Sequence, residues 1–224
     1  MTSGSLAEII AAQEATAEAE WLAGWLTGPT RTRWTELPVQ VSDQAPDLDL
    51  ADSNGERRQL SDAWASGPVL LVFLRHFGCS CLRDRWDRLT TEIEAYRAAG
   101  ATVQLVCQGE PERTADVAAR RGYPTPVWCD PDRRAYQAYG LLQGTPPQLL
   151  HDFAWHPGDE ALAEAVGRTA RRGTERALVD DPWQLPGEFV VAADGRIALA
   201  HRYQYCEDLP AAGVLLGAIA TALG

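Results

Sequence analysis

The sequence predicts an α/β sandwich built on a central mixed sheet, and three observations lead there. Residues 68–74 (Pro-Val-Leu-Leu-Val-Phe-Leu) form an unbroken apolar run, the pattern of a central strand buried on both faces. From Pro46 onward, strand-like and helix-like segments alternate. The chain then closes with a hairpin around Asp194-Gly195 and a last apolar helix carrying Leu215, Leu216, Ile219 and Leu223.

Before that pattern begins, Leu6, Ile10, Ala17, Trp21 and Trp25 fall on one helical face, with Gly28 as a stop. Residues 1–45 therefore read as an N-terminal helix and linker, the helix either packing on its own core or serving as a dimer arm. Residues 46–224 read as the main domain. Within it, Leu48 to Leu60 forms a small hairpin turning at Asp52-Ser53-Asn54-Gly55, and Ser61 caps a short helical turn near Trp64. A helix runs from Ser80 to Ala99 with Leu82, Trp86, Leu89, Ile93 and Tyr96 inward, and Gly100 ends it. Thr102–Cys107 is the next strand, and Pro111 opens a helix ending at Gly122. Val127–Cys129 is a short strand. Asp130 then caps a helix with Pro131 at its first position and Tyr136 and Tyr139 inside. The stretch at about 142–183, with His151, His156 and a helix near 160–172, breaks the rhythm and reads as an insertion before the closing hairpin.

The chain has 224 residues and a net charge of -11, which argues against nucleic acid and against an anionic membrane surface as partners. Apolar runs are strand-sized, well short of the roughly 20 residues that cross a bilayer. Glu8, Glu14, Glu18 and Glu20 stand where a secretory signal needs an apolar core, so a cytoplasmic protein is expected. Five cysteines, an odd number, do not make a disulfide scaffold in a chain this long.

Chemistry concentrates where the apolar strand runs into the next helix: Arg75-His76-Phe77-Gly78-Cys79-Ser80-Cys81-Leu82-Arg83. Loops at the carboxyl ends of such strands carry ligands and reactions. Gly78 permits a tight turn. Cys79 falls at the helix start, where free amide N–H groups and the macrodipole favour an anion. Thiols in such settings, near cations, acidify from about 8.5 to roughly 3.5–7.5. Arg75, His76 and Arg83 supply polar surroundings. The residues thus point to Cys79 as nucleophile and Cys81 as resolving thiol, although free cysteines also commonly just fill space. A Cys-x-Cys disulfide closes a very small ring and would be comparatively easy to reduce.

The same stretch resembles the peroxiredoxin-like subfamily of the alkyl hydroperoxide reductase/thiol-specific antioxidant (AhpC/TSA) family, in Gly78-Cys79-x-x-x-Arg83 after an apolar strand. Cys129-Asp130-Pro131-Asp132-Arg133 with Tyr136 to Leu141, and Gln184 to Val191 with Asp194-Gly195, resemble later parts of that family. The resemblance implies a thioredoxin-like fold and an antioxidant oxidoreductase that reduces peroxide or a related oxidised small molecule, restored by an external thiol reductant. Pro186 resembles the proline that faces the active cysteine in thioredoxin folds. The subfamily's second cysteine, three residues after the first, corresponds here to Leu82, with Cys81 one position earlier. The Thr or Ser and the Pro that standard peroxiredoxins place before the cysteine correspond to His76 and Val72.

No organic cofactor is implied, because neither a dinucleotide fingerprint nor a Walker loop is present. Two other readings stay open: a non-catalytic binding module, and a soft-metal (copper) protein using His76, Cys79 and Cys81 as ligands. Cys107 reads as a core thiol or a second resolving thiol. Cys129 and Cys206 read as structural or partly exposed, and His151, His156 and His201 as surface residues.

Overall fold

The computed structural model describes Ala19, Ala23, Trp34 and residues 36–124, 126–145, 148–149 and 180–224, without the side chains of Ser80 and Arg83. Beyond Ala19 and Ala23, which are helical, the expected N-terminal helix and its Gly28 stop lie outside the described residues. So do His151, His156 and the helix expected near 160–172.

Seven strands form one mixed sheet among the described residues: β1 (Asp49–Asp52), β2 (Arg57–Gln59), β3 (Val69–Phe73), β4 (Thr102–Cys107), β5 (Trp128–Cys129), β6 (Gly187–Val191) and β7 (Ile197–Arg202). Their spatial order is β2-β1-β5-β4-β3-β6-β7. The apolar run at β3 lies in the interior, parallel to β4 and antiparallel to β6, as its composition requires. Its side chains alternate between two cores. Leu70, Val72 and Leu74 face one way, with Leu89, Tyr96, Val117, Leu215 and Ile219. Val69, Leu71 and Phe73 face the other, with Leu60, Tyr136, Tyr139 and Phe189. Period-two alternation along one apolar strand thus builds both halves of the sandwich.

Four α-helices cover the sheet among the described residues: α1 (Ser80–Ala98), α2 (Pro111–Arg121), α3 (Arg134–Ala138) and α4 (Ala212–Ala222). Gly122 ends α2 with a left-handed φ of 67°, a conformation glycine adopts without strain.

Local details depart from expectation at four places. The short helical turn at Leu60–Ala63 is capped by Gln59, whose N–H donates to Asp62, while Ser61 is instead held by Asp47. α3 starts three residues later than expected, with Arg133 as its left-handed cap and Pro131 in the preceding turn. Asp130 still satisfies the helix start, because its carboxylate accepts from the N–H groups of Arg134, Ala135 and Tyr136. Tyr139 ends that helix rather than lying inside it. Finally, the last part of the linker is docked: the N–H of Ser42 donates to Ile197 and that of Ala45 to Gly195, each at 2.8 Å.

Candidate functional site

The site grows from the carboxyl end of β3. Leu74 still donates to Val106 in the neighbouring strand, and then the chain leaves the sheet through Arg75 to Gly78. Cys79 is the N-cap of α1, with extended φ and ψ of -78° and 135°. It therefore stands beside the first N–H groups of the helix, which have no partners within it. Its own N–H donates to the His76 carbonyl at 3.1 Å.

Cys79 and Cys81 are joined by a disulfide, with their Cα atoms 5.4 Å apart. A third sulfur completes the group. Cys206 Sγ lies 3.1 Å from Cys81 Sγ and 3.7 Å from Cys79 Sγ. All three sulfurs fall within 4.8 Å of one another, Cys79 half-buried and the other two buried. Cys206 comes from the loop after β7, where its N–H donates to the Gln148 carbonyl at 2.7 Å. Cys206 is buried, so the expectation of partial exposure is corrected, and its place beside Cys79 and Cys81 is a juxtaposition that the sequence did not reveal. The soft-metal (copper) reading took His76, Cys79 and Cys81 as ligands; among the described residues the close group of possible ligands is Cys79, Cys81 and Cys206.

Among the described residues, one cation serves this cluster. The Arg75 guanidinium is buried; Nη1 donates to Cys206 Sγ at 2.7 Å and approaches Cys79 Sγ at 3.4 Å. Its Nη2 donates to the Pro182 carbonyl, which fixes the head group in place. Arg83 lies by its backbone in the first turn of α1, and its side chain is outside the described part of the structure.

The turn itself is clamped from outside. Phe77 donates its N–H to Asp180 at 3.1 Å and accepts from Arg121 through its carbonyl at 2.9 Å. Arg113 pairs with the same Asp180 carboxylate and lies over the Phe77 ring at 5.3 Å. Gly78 is exposed and His76 is buried. Burial first, and the nearby charges of Arg75 and Arg113 second, hold the His76 imidazole well below its ordinary range, so it is neutral at pH 7. Among the described residues, positive charge next to Cys79 comes from Arg75.

Behind the sulfurs lies a small, mostly apolar cavity lined by Val72, Leu74, Cys81, Leu82, Pro186 and Cys206, with Arg75, Arg85 and Tyr203 among its polar walls. Pro186 thus shares a cavity with Cys81. Arg85, on α1, makes a two-pronged pair with the buried Glu188 of β6 at 2.6 and 2.9 Å, and Tyr203 donates to the same carboxylate at 2.5 Å. A buried carboxylate with a guanidinium and a phenol on it is fully partnered, which low polarity demands. Neither Arg85 nor Glu188 stood out in the sequence. The available sign was an Arg on the inner side of an otherwise apolar helix face, together with a Glu inside an apolar strand.

The other two thiols stand apart. Cys107 and Cys129 face each other across β4 and β5 in register, both buried, and Cys107 contacts the Thr114 hydroxyl at 3.2 Å. Burial, followed by the neighbouring Cys129, pushes the Cys107 thiol well up. These are core thiols.

Comparison with known proteins bears on the fold and the family. A stretch of 104 residues is 24% identical to the chloroplastic thioredoxin-like protein AAED1 of Arabidopsis thaliana and covers 46% of this chain. That match spans only 42% of the Arabidopsis protein. The prostamide/prostaglandin F synthase of Salmo salar is 26% identical over 181 residues, covering 78% of this chain and 83% of the relative. Among solved structures, a peroxiredoxin-like protein from Aquifex aeolicus superposes with a TM-score of 0.57 at 12% identity, over 87% of this chain and 92% of that one, which establishes the shared thioredoxin-like fold. Residues 88–205 match the family model described as AhpC/TSA antioxidant enzyme. That span begins after Cys79 and Cys81 and stops short of Cys206, so none of the three clustered thiols lies within it. It covers just over half of the sequence, and the chain belongs to the AhpC/TSA antioxidant enzyme family.

Proposed function

We propose that this protein is a thiol oxidoreductase that reduces a peroxide or a related oxidised small molecule through Cys79 and Cys81. The observation that carries the reading is the Cys79–Cys81 disulfide at the start of α1 with the Arg75 guanidinium beside it. In the reduced protein, the Cys79 thiolate attacks one peroxide oxygen. The O–O bond breaks, the other oxygen leaves as an alcohol or water after taking a proton, and Cys79 becomes a sulfenic acid. The Cys81 thiol condenses with it, forming the disulfide and releasing water. An external thiol reductant then returns two electrons. Arg75 and the helix start hold charge on Cys79, the Arg113, Arg121 and Asp180 clamp holds the turn, and Pro186 shapes the cavity behind Cys81.

The test treats reduced wild type, Cys79→Ser and Cys81→Ser with one equivalent of hydroperoxide and maps oxidation by mass spectrometry. Cys79→Ser should lose turnover, and Cys81→Ser should accumulate sulfenic or over-oxidised Cys79. Equal, slow reaction of all three at the rate of free cysteine would instead establish a non-catalytic binding module.

A further inference from the structure

We propose that Cys206 is an exchange thiol, which takes over the disulfide from Cys79 and stores the oxidation as a buried Cys81–Cys206 bond. The proposal rests on the reading of Cys79 as the thiol that meets oxidant.

Three sulfurs can form three different disulfides, each leaving one sulfur as the thiolate. Position of the cation separates them. Arg75 Nη1 reaches Cys206 at 2.7 Å and Cys79 at 3.4 Å, and among the described residues no hydrogen bond joins it to Cys81. A thiolate on Cys206, beside a Cys79–Cys81 disulfide, is therefore held by a charge-assisted contact. So is a thiolate on Cys79, which also has the start of α1, beside a Cys81–Cys206 disulfide. A Cys79–Cys206 disulfide would leave the charge on Cys81, which is buried and, among the described residues, receives no hydrogen bond from Arg75. Burying an uncompensated charge is costly, so that third pairing is disfavoured.

The exchange balances without any further reagent. The Cys206 thiolate adds to Cys81 Sγ, the Cys79–Cys81 bond breaks, and its electron pair leaves on Cys79 Sγ as the Cys81–Cys206 bond forms. No proton moves, and the three sulfurs together remain oxidised by two electrons. Cys206 lies within 3.7 Å of both partners, so the sulfurs form a triangle. In-line displacement requires Cys79 to swing about its Cα–Cβ bond, and Cys79 is the half-exposed member of the three. The oxidation thereby moves from the half-exposed thiol to two buried ones, and Cys79 returns to its reactive form.

The test uses the full chain, reduced and then treated with one equivalent of diamide, a thiol oxidant, so that it does not depend on peroxide reactivity. Samples are quenched in acid over a time course, alkylated in denaturant and cut with trypsin. Cys79 and Cys81 then share the peptide 76–83, and Cys206 lies in the peptide 203–224. The expected product is a cross-linked pair of these peptides in which Cys79 is alkylated and Cys81 is not. A second measurement alkylates the native oxidised protein: part of the Cys79 should label in wild type, and that labelling should be lost in Cys206→Ser. Cys206 recovered fully alkylated while the Cys79–Cys81 disulfide accumulates would overturn the proposal. So would a cross-link running through Cys79. Neither result bears on whether hydroperoxide oxidises Cys79, which the earlier experiment reads separately.

Discussion

The guanidinium of Arg75 donates to the sulfur of Cys206 at 2.7 Å, although 131 positions separate the two residues in the chain. Arg75 leaves the sheet at the end of β3, and Cys206 arrives in the loop after β7. Sheet order explains how they meet. β3 pairs with β6, and β6 pairs with β7, so the end of the chain returns to the same edge from which the Cys79 turn departs. Trp183, Leu185 and Leu149 close around Cys81 and Cys206 as a small apolar cluster of their own.

From this contact follows a prediction for Arg75→Met, which keeps bulk and removes charge. Hydrogen bonds to charged groups are worth about 1.5–3 kcal/mol, or about tenfold to a hundredfold in an equilibrium. Alkylation of the reduced Cys79–Cys81 peptide by iodoacetamide at pH 7 should therefore slow by about tenfold or more. An unchanged rate would show that the start of α1 alone activates the thiol.

Much of the fold was legible because it is written locally. The β3 run, the Gly-Cys turn after it, Pro111 opening α2 and Gly122 closing it each depend on a few neighbouring residues. The pair Cys79 and Cys81 was visible for the same reason, being placed by a strand and a helix start within a dozen residues. Cys206 was not, because its only neighbours in sequence are loop residues, and its partners arrive through strand pairing. The Arg85–Glu188 pair was hidden likewise: each charge stands among inward apolar positions, and only their meeting across α1 and β6 makes burial tolerable. Asp130 was read as a cap and serves as one, but Arg133 adopts a left-handed conformation and delays the helix behind Pro131.

Cys107 and Cys129 should be silent in the native protein. Both are buried under α2, and neither borders the cavity at Cys81. Native reduced protein treated with a maleimide should label Cys79 first. Cys107 and Cys129 should label only through global opening, about a thousandfold or more slower than in denaturant for a domain of ordinary stability. Mass mapping along the time course checks this, and rapid native labelling of Cys107 would overturn its placement as a core thiol.

Arg85→Met should be among the most destabilising single changes outside the apolar core. It would leave Glu188, which is 0% exposed, with Tyr203 as its remaining hydrogen-bond donor. Removing one partner of a buried ion pair typically costs about 3–5 kcal/mol. Urea denaturation should show a loss of that order. The double variant Arg85→Met with Glu188→Leu should recover most of it, because the stranded charge is then gone. A double variant no more stable than the single one would mean that packing around Arg85, rather than charge, sets the effect.

His76 gives the fold a dependence on pH whose sign is fixed by its burial. The imidazole lies well below its ordinary value of 6.5 in the folded protein because burial, and then Arg75 and Arg113, oppose a second positive charge. In the unfolded chain it titrates normally. Between the two values the unfolded state binds more protons, so stability rises with pH there. The contribution is fully present above about pH 6.5 and is lost as the pH falls below it, by at most about 1.4 kcal/mol per pH unit. His76→Gln removes the titrating group while keeping a polar side chain of similar length. Urea midpoints measured from pH 7.5 down to pH 5 should therefore fall more steeply for wild type than for His76→Gln, even if the variant is less stable at pH 7.5. Other groups titrate in this range too, but they are common to both proteins and cancel in the difference. Parallel curves would show that His76 binds protons equally in the folded and unfolded states, so that burial does not shift its titration.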